Sequence, residues 1–131
     1  MEQAGLPVEE QLIVPGDYTQ AGGRRAMAAL LDRQAPPTAV FCANDLSALG
    51  ALDVAQMRGL RLPGDISIVG FDDIDEAALS TPPLTTVSQP PRLVGTVIAE
   101  TLIERLNGRT EPSRRAIQGS LVIRQSTAAP R

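Results

Sequence analysis

Short apolar runs rich in β-branched residues alternate along this chain with longer segments of helical period, and Gly or Pro marks most of the changeovers. "EEQLIV" (9–14) reads as a strand closed by Pro15 and Gly16. Residues 20–33 read as a helix around Ala26, Met27, Leu30 and Leu31, ended by "QAPPT". "TAVFCA" (38–43) is a buried strand. Asn44 or Asp45 then caps a helix through Leu46, Leu49, Leu52 and Met57, with Gly59 in the left-handed position after it. "ISIVGF" (66–71) and "LTTVS" (84–88) are further strands. "RLVGTVIAETLIERLNG" (92–108) is an amphipathic helix closed by Gly108, with Leu93, Val94, Val97, Ile98, Leu102 and Leu106 at helical spacing. "RAIQGSLVIRQS" is strand-like again. This alternation predicts βαβ units and an α/β fold with a doubly wound parallel sheet.

In open α/β sheets, ligands bind beyond the carboxyl ends of the strands. Here those ends carry Asp17-Tyr18, Asn44-Asp45, Asp72-Asp73 and Gln89. Loops at one edge thus offer carboxylates and amides for hydroxyls and a ring for an apolar face, the makings of a small polar-ligand site. Each residue also has a plain structural role open to it. Asn44 and Asp45 serve equally as helix caps, Tyr18 as packing under a loop, and Asp73, Asp75 and Glu76 as turn and helix-start residues.

Composition removes several chemistries. The Asp73-Ile74-Asp75 pattern and the acidic pair after a strand fit phosphoryl-transfer folds, but those add a lysine, and all twelve basic residues here are arginines. There is no histidine and only one cysteine, Cys42, so histidine-based catalysis, a zinc site and an internal disulfide all lack their residues. A magnesium site at Asp72 and Asp73 stays open on the residues alone. Cys42 lies inside an apolar run, the setting of a packing residue. No Walker, nucleophile-elbow or dinucleotide motif occurs, so neither an enzymatic activity nor a cofactor is expected. A net charge of −3 and 2% aromatic residues supply neither the basic stripe nor the stacking platform of a nucleic-acid surface. No apolar run reaches the roughly 18–20 residues of a membrane span. The start lacks the layout of a secretory signal, and a cytoplasmic location is expected.

Three stretches in order, "CANDLSALGAL", "GDISIVGFDD" and "PPLTTVSQP", resemble the effector-binding region of the lactose/galactose-repressor family of bacterial transcription regulators. "GDYTQAGG" upstream and "SLVIRQSTAAP" at the end extend the resemblance over nearly the whole chain. It implies one lobe of a periplasmic-binding-protein type I fold, in which two lobes clasp a small ligand, usually a sugar or nucleobase. By motif, Tyr18 matches an aromatic position of the ligand cleft. Asn44 and Asp72 match ligand hydrogen-bonding positions, and Gln89 a cleft-facing crossover. Pro91 falls where many sugar-binding members place an aromatic residue.

On that resemblance, residues 1–131 are a partial effector-binding and dimerisation domain, mainly the second lobe. Residues 91–118 are a crossover segment that would pack on a first lobe. The implied partners are a small-molecule effector, a second copy in the intact regulator, and DNA only through an N-terminal domain outside this chain, with no membrane. A secreted sugar-binding protein of the same fold is the second reading, and a phosphoryl-transfer enzyme the third.

Overall fold

A computed structural model describes Gly5 and residues 9–129. A short 3-10 helix at Glu10–Leu12 leads into α1 (Gln20–Leu31), β1 (Ala39–Phe41), α2 (Asp45–Met57) and β2 (Ser67–Val69). Then follow α3 (Asp75–Leu79), β3 (Thr86–Ser88), α4 (Pro91–Leu106) and β4 (Ser120–Val122). β1 and β2 pair in parallel with Val40 opposite Ile68, and β3 and β4 pair antiparallel with Val87 opposite Leu121. Parallel bridges Val69–Thr85 and Asp72–Ser88 join the two pairs, giving the order β1-β2-β3-β4. The α/β expectation holds, with the refinement that β4 is an antiparallel edge.

The helices end as their residues dictate. After α2, Gly59 takes φ +74°, with Leu60 N–H on Ala55 O and Gly59 N–H on Gln56 O. After α4, Gly108 takes φ +95° and the same pair of bonds closes onto Glu104 and Arg105. Both are Schellman stops, which use glycine's access to the left-handed region. Thr19 caps α1 by accepting from Gly22 N–H at 2.9 Å.

α1 and α2 lie almost backbone to backbone. A Cβ on Gly23 would sit 2.1 Å from Ser47 O, and one on Gly50 would sit 2.1 Å from Gln20 O. Met27 of α1 is buried in one cluster with Ala48, Ala51, Leu52 and Ala55 of α2 and with Ile66, Ile68 and Leu84. α4 behaves differently: none of its residues is buried.

The strand expected at 9–14 is not one. Leu12 N–H bonds to Glu9 O and Ile13 N–H to Glu10 O, so the backbone is satisfied locally, and Ile13 stays 64% exposed. Glutamates are poor strand formers, and an apolar run becomes a strand only where a neighbour accepts its backbone groups. Between this segment, α1 and β1 lies a largely apolar cavity of about 480 Å³, lined among others by Ile13, Tyr18, Met27 and Phe41. The strand-like stretch at the C-terminal end is likewise reduced to Ser120–Val122, while Arg115 turns to Glu104 on α4 at 2.6 Å.

Candidate functional site

The polar groups at the strand ends are joined loop to loop by hydrogen bonds. Asn44 Nδ2 donates to Tyr18 O at 2.9 Å, tying the α1 entry to the end of β1. Asp45 N–H bonds to Phe71 O at 2.8 Å, tying the start of α2 to the end of β2. Asp72 N–H bonds to Val87 O at 2.9 Å, and Gln89 Nε2 donates to Asp72 Oδ1 at 2.8 Å, tying β2 to the end of β3. The four residues singled out from sequence thus stand along one edge in two directly bonded pairs, Tyr18–Asn44 and Asp72–Gln89.

Strain gathers at this edge. Among the described residues, the non-glycine positions with positive φ are Tyr18 (+61°), Asp72 (+113°) and Asp73 (+60°). Such conformations cost roughly 1–3 kcal/mol each and persist only where surrounding contacts hold them. Asp17 helps hold the first, since its carboxylate takes Thr19 Oγ1 at 2.6 Å, Thr19 N–H at 3.1 Å and Arg25 Nη2 at 2.6 Å. The Thr19 bonds, with Arg25 adding a smaller share, keep the Asp17 carboxyl below the usual range.

Individual residues divide between structure and surface. Asn44 is a true helix cap, its Oδ1 accepting Ser47 N–H at 3.0 Å, so its side chain is shared between capping and the Tyr18 loop. Tyr18 presents its ring at 67% exposure and also lines the apolar cavity. Asn44, Asp72 and Gln89 do not line that cavity, which belongs to the open edge of β1 and not to the polar rim. Asp75 and Glu76 are exposed in the first turn of α3, where a carboxylate suits the helix dipole. Asp73, expected only as a turn residue, is half-buried and ion-paired with Arg124 at 2.6 Å.

Two residues matter more than the sequence reading allowed. Asp45 is wholly buried, and its carboxylate accepts Thr86 Oγ1 at 2.6 Å and Ile74 N–H at 3.0 Å. It fits so closely that a Cβ on Gly70 would meet Asp45 Oδ1 at 2.1 Å. Arg124 is the other. The available signal was a charged residue in the apolar stretch "SLVIRQS", which in a strand demands a partner.

Residues 1–127 match the profile of the periplasmic binding protein-like domain. The HTH-type transcriptional repressor CytR of Escherichia coli (strain K12) is 43% identical over 130 residues, a match covering 98% of this chain and 38% of that protein. The HTH-type transcriptional repressor PurR of Proteus mirabilis (strain HI4320) is 43% identical over 129 residues, with 98% and 38% covered. Among solved structures, the transcriptional regulator CelR–cellobiose complex superposes with a TM-score of 0.89 at 41% identity, covering 95% of this chain and 38% of that one. The chain therefore spans about 38% of the length of the curated relatives it matches.

Proposed function

This chain belongs to the periplasmic binding protein-like family, on the branch of the LacI-type regulators, and from that premise we propose that it is the effector-sensing part of such a transcription regulator. The observation that carries the reading is the polar edge itself, where a half-buried carboxylate on a strained turn is bridged to an amide at 2.8 Å, and where a second amide, Asn44, is tied to the loop that exposes the Tyr18 ring. Asp72 would accept ligand hydroxyl or N–H protons, a charge-assisted bond, and Gln89 would orient it and offer a further carbonyl oxygen and N–H. Asn44 would contact the ligand while holding its cap, and the Tyr18 ring would cover an apolar face. A carboxylate, two amides and one ring suit a sugar or a related small polar metabolite.

The edge is an open shelf, because Tyr18 and Gln89 are both exposed. A first lobe closing over it would complete the enclosure, with residues 91–118 crossing to that lobe. In the intact regulator the domain would act as a homodimer in the cytoplasm, ligand binding altering how a separate N-terminal domain holds operator DNA. No helix of the described residues is long and apolar enough to cross a membrane.

Calorimetric titration with mono- and disaccharides, nucleosides and nucleobases tests the site. One class should bind, and Asp72→Ala should weaken it at least tenfold, since each charge-assisted bond is worth roughly 1.5–3 kcal/mol. Asp75→Ala should leave affinity unchanged. Equal effects of the two substitutions, or no binding from any class, would remove the proposal.

A further inference from the structure

Residues 73–84 leave the sheet after β2, form α3, and rejoin it before β3. A single side chain from another part of the chain holds both ends of this excursion. Arg124, just past β4, donates Nη2 to Asp73 Oδ1 at 2.6 Å and Nη1 to Leu84 O at 2.8 Å. The pair is the most sheltered ion pair among the described residues, with side-chain exposures of 19% and 21%. Its base is fixed as well. Arg124 N–H bonds to Thr85 Oγ1 at 2.9 Å, Gln125 N–H to Pro83 O at 2.9 Å, and Ser126 Oγ to Ile68 O at 2.6 Å.

The turn at Asp72–Asp73 needs such a hold, because both residues have positive φ. Asp72 N–H is anchored on Val87 O and Ile74 N–H on Asp45 Oδ2, at 2.9 and 3.0 Å. Between these anchors, Asp73 is held from the β4 side by Arg124.

We propose that Arg124 is the positioning residue of the effector site, setting the Asp72 carboxylate by clamping the 73–84 excursion from the return strand. The proposal rests on the effector reading above and adds a regulatory consequence. β4 follows the 91–118 segment, so the loop bearing Asp72 and the strand returning from that segment move as one body. A change at Asp72 is thereby felt at β4, and a displacement of β4 is felt at Asp72. The planar guanidinium suits this role, since its fork reaches a carboxylate and a carbonyl together, whereas a lysine ammonium is a single point.

Amide hydrogen exchange, read by NMR on the whole chain with no effector added, tests the proposal. In Arg124→Gln the amides of Asp72 and Leu84 should exchange at least tenfold faster, while those of Cys42 and Leu60 keep their wild-type rates. Arg124→Lys should recover slow exchange at Asp72 and leave Leu84 fast. Asp73→Asn, which preserves size and serves should the Arg124 variants fail to fold, should speed Asp72 as Arg124→Gln does, and the double variant should add nothing. Uniform acceleration across the molecule, or unchanged exchange at Asp72, would overturn the proposal. Local opening in these variants combined with no effect of Asp72→Ala on effector affinity would instead sink the effector reading alone.

Discussion

Asp45 has no solvent exposure, yet its carboxylate serves Thr86 Oγ1 and Ile74 N–H, and its backbone N–H serves Phe71 O. Removing the carboxylate leaves one buried and one partly buried donor without an acceptor, at about 1–3 kcal/mol each. Asp45→Ala is therefore expected to lower unfolding free energy by about 2–5 kcal/mol in urea denaturation, while Asp75→Ala on the exposed turn stays within about 0.5 kcal/mol. Cys42 registers the same interior. Burial first, and the Asp45 charge second, push its thiol up from an ordinary 9.0 to about 12. The unfolded chain loses that proton first, so the native state binds more protons between these values, and stability falls as pH rises. Its contribution is complete below pH 9 and drains toward pH 12 by up to about 1.4 kcal/mol per pH unit. Urea midpoints measured from pH 8 upward should show this decline, and Cys42→Ala should flatten it.

α4 is well made as a helix and poorly provided for as a packing element. Pro91 sits in its first turn, a Schellman stop closes it, and Arg109 and Arg115 lie on Glu104 along its last turns. Yet Leu93, Ile98, Leu102, Ile103 and Leu106 are all more than half exposed, as are Leu121 and Ile123 at β4. Each such side chain forgoes roughly 1.5–3 kcal/mol of burial. Contiguous apolar surface of this kind drives association. Light scattering at micromolar concentration should report more than one chain per particle, and Ile98→Glu with Leu102→Glu should restore the monomer. A monomer before substitution would contradict this expectation.

Much of the molecule was legible because the controlling interactions are local. The start of α2 follows from Asn44, its end from Gly59, and the end of α4 from Gly108, each a cap whose chemistry lies within a few residues. The gathering of polar strand ends was legible because α/β topology delivers strand ends to one side whatever the side chains. What failed was non-local. "EEQLIV" has the apolar pattern of a strand, but pattern does not supply a partner, and the glutamates found bonds within one turn. The apolar spacing of α4 was legible too, and its large aliphatic side chains stand exposed, but spacing alone does not say what they pack against. The roles of Asp45 and Arg124 depend on residues 41 and 51 positions away in sequence, Thr86 and Asp73, beyond the reach of spacing arguments.

The left-handed backbone at Asp72 also restricts how this edge can change over generations. At φ +113° a residue without a β-carbon sits freely, aspartate and asparagine are tolerated through their short polar side chains, and β-branched residues are excluded. The heritable alphabet at that position is thus nearly confined to a carboxylate, an amide or no side chain at all. Gln89, the hydrogen-bonded partner of Asp72, is exposed and outside the positive-φ set, so its backbone imposes no such restriction.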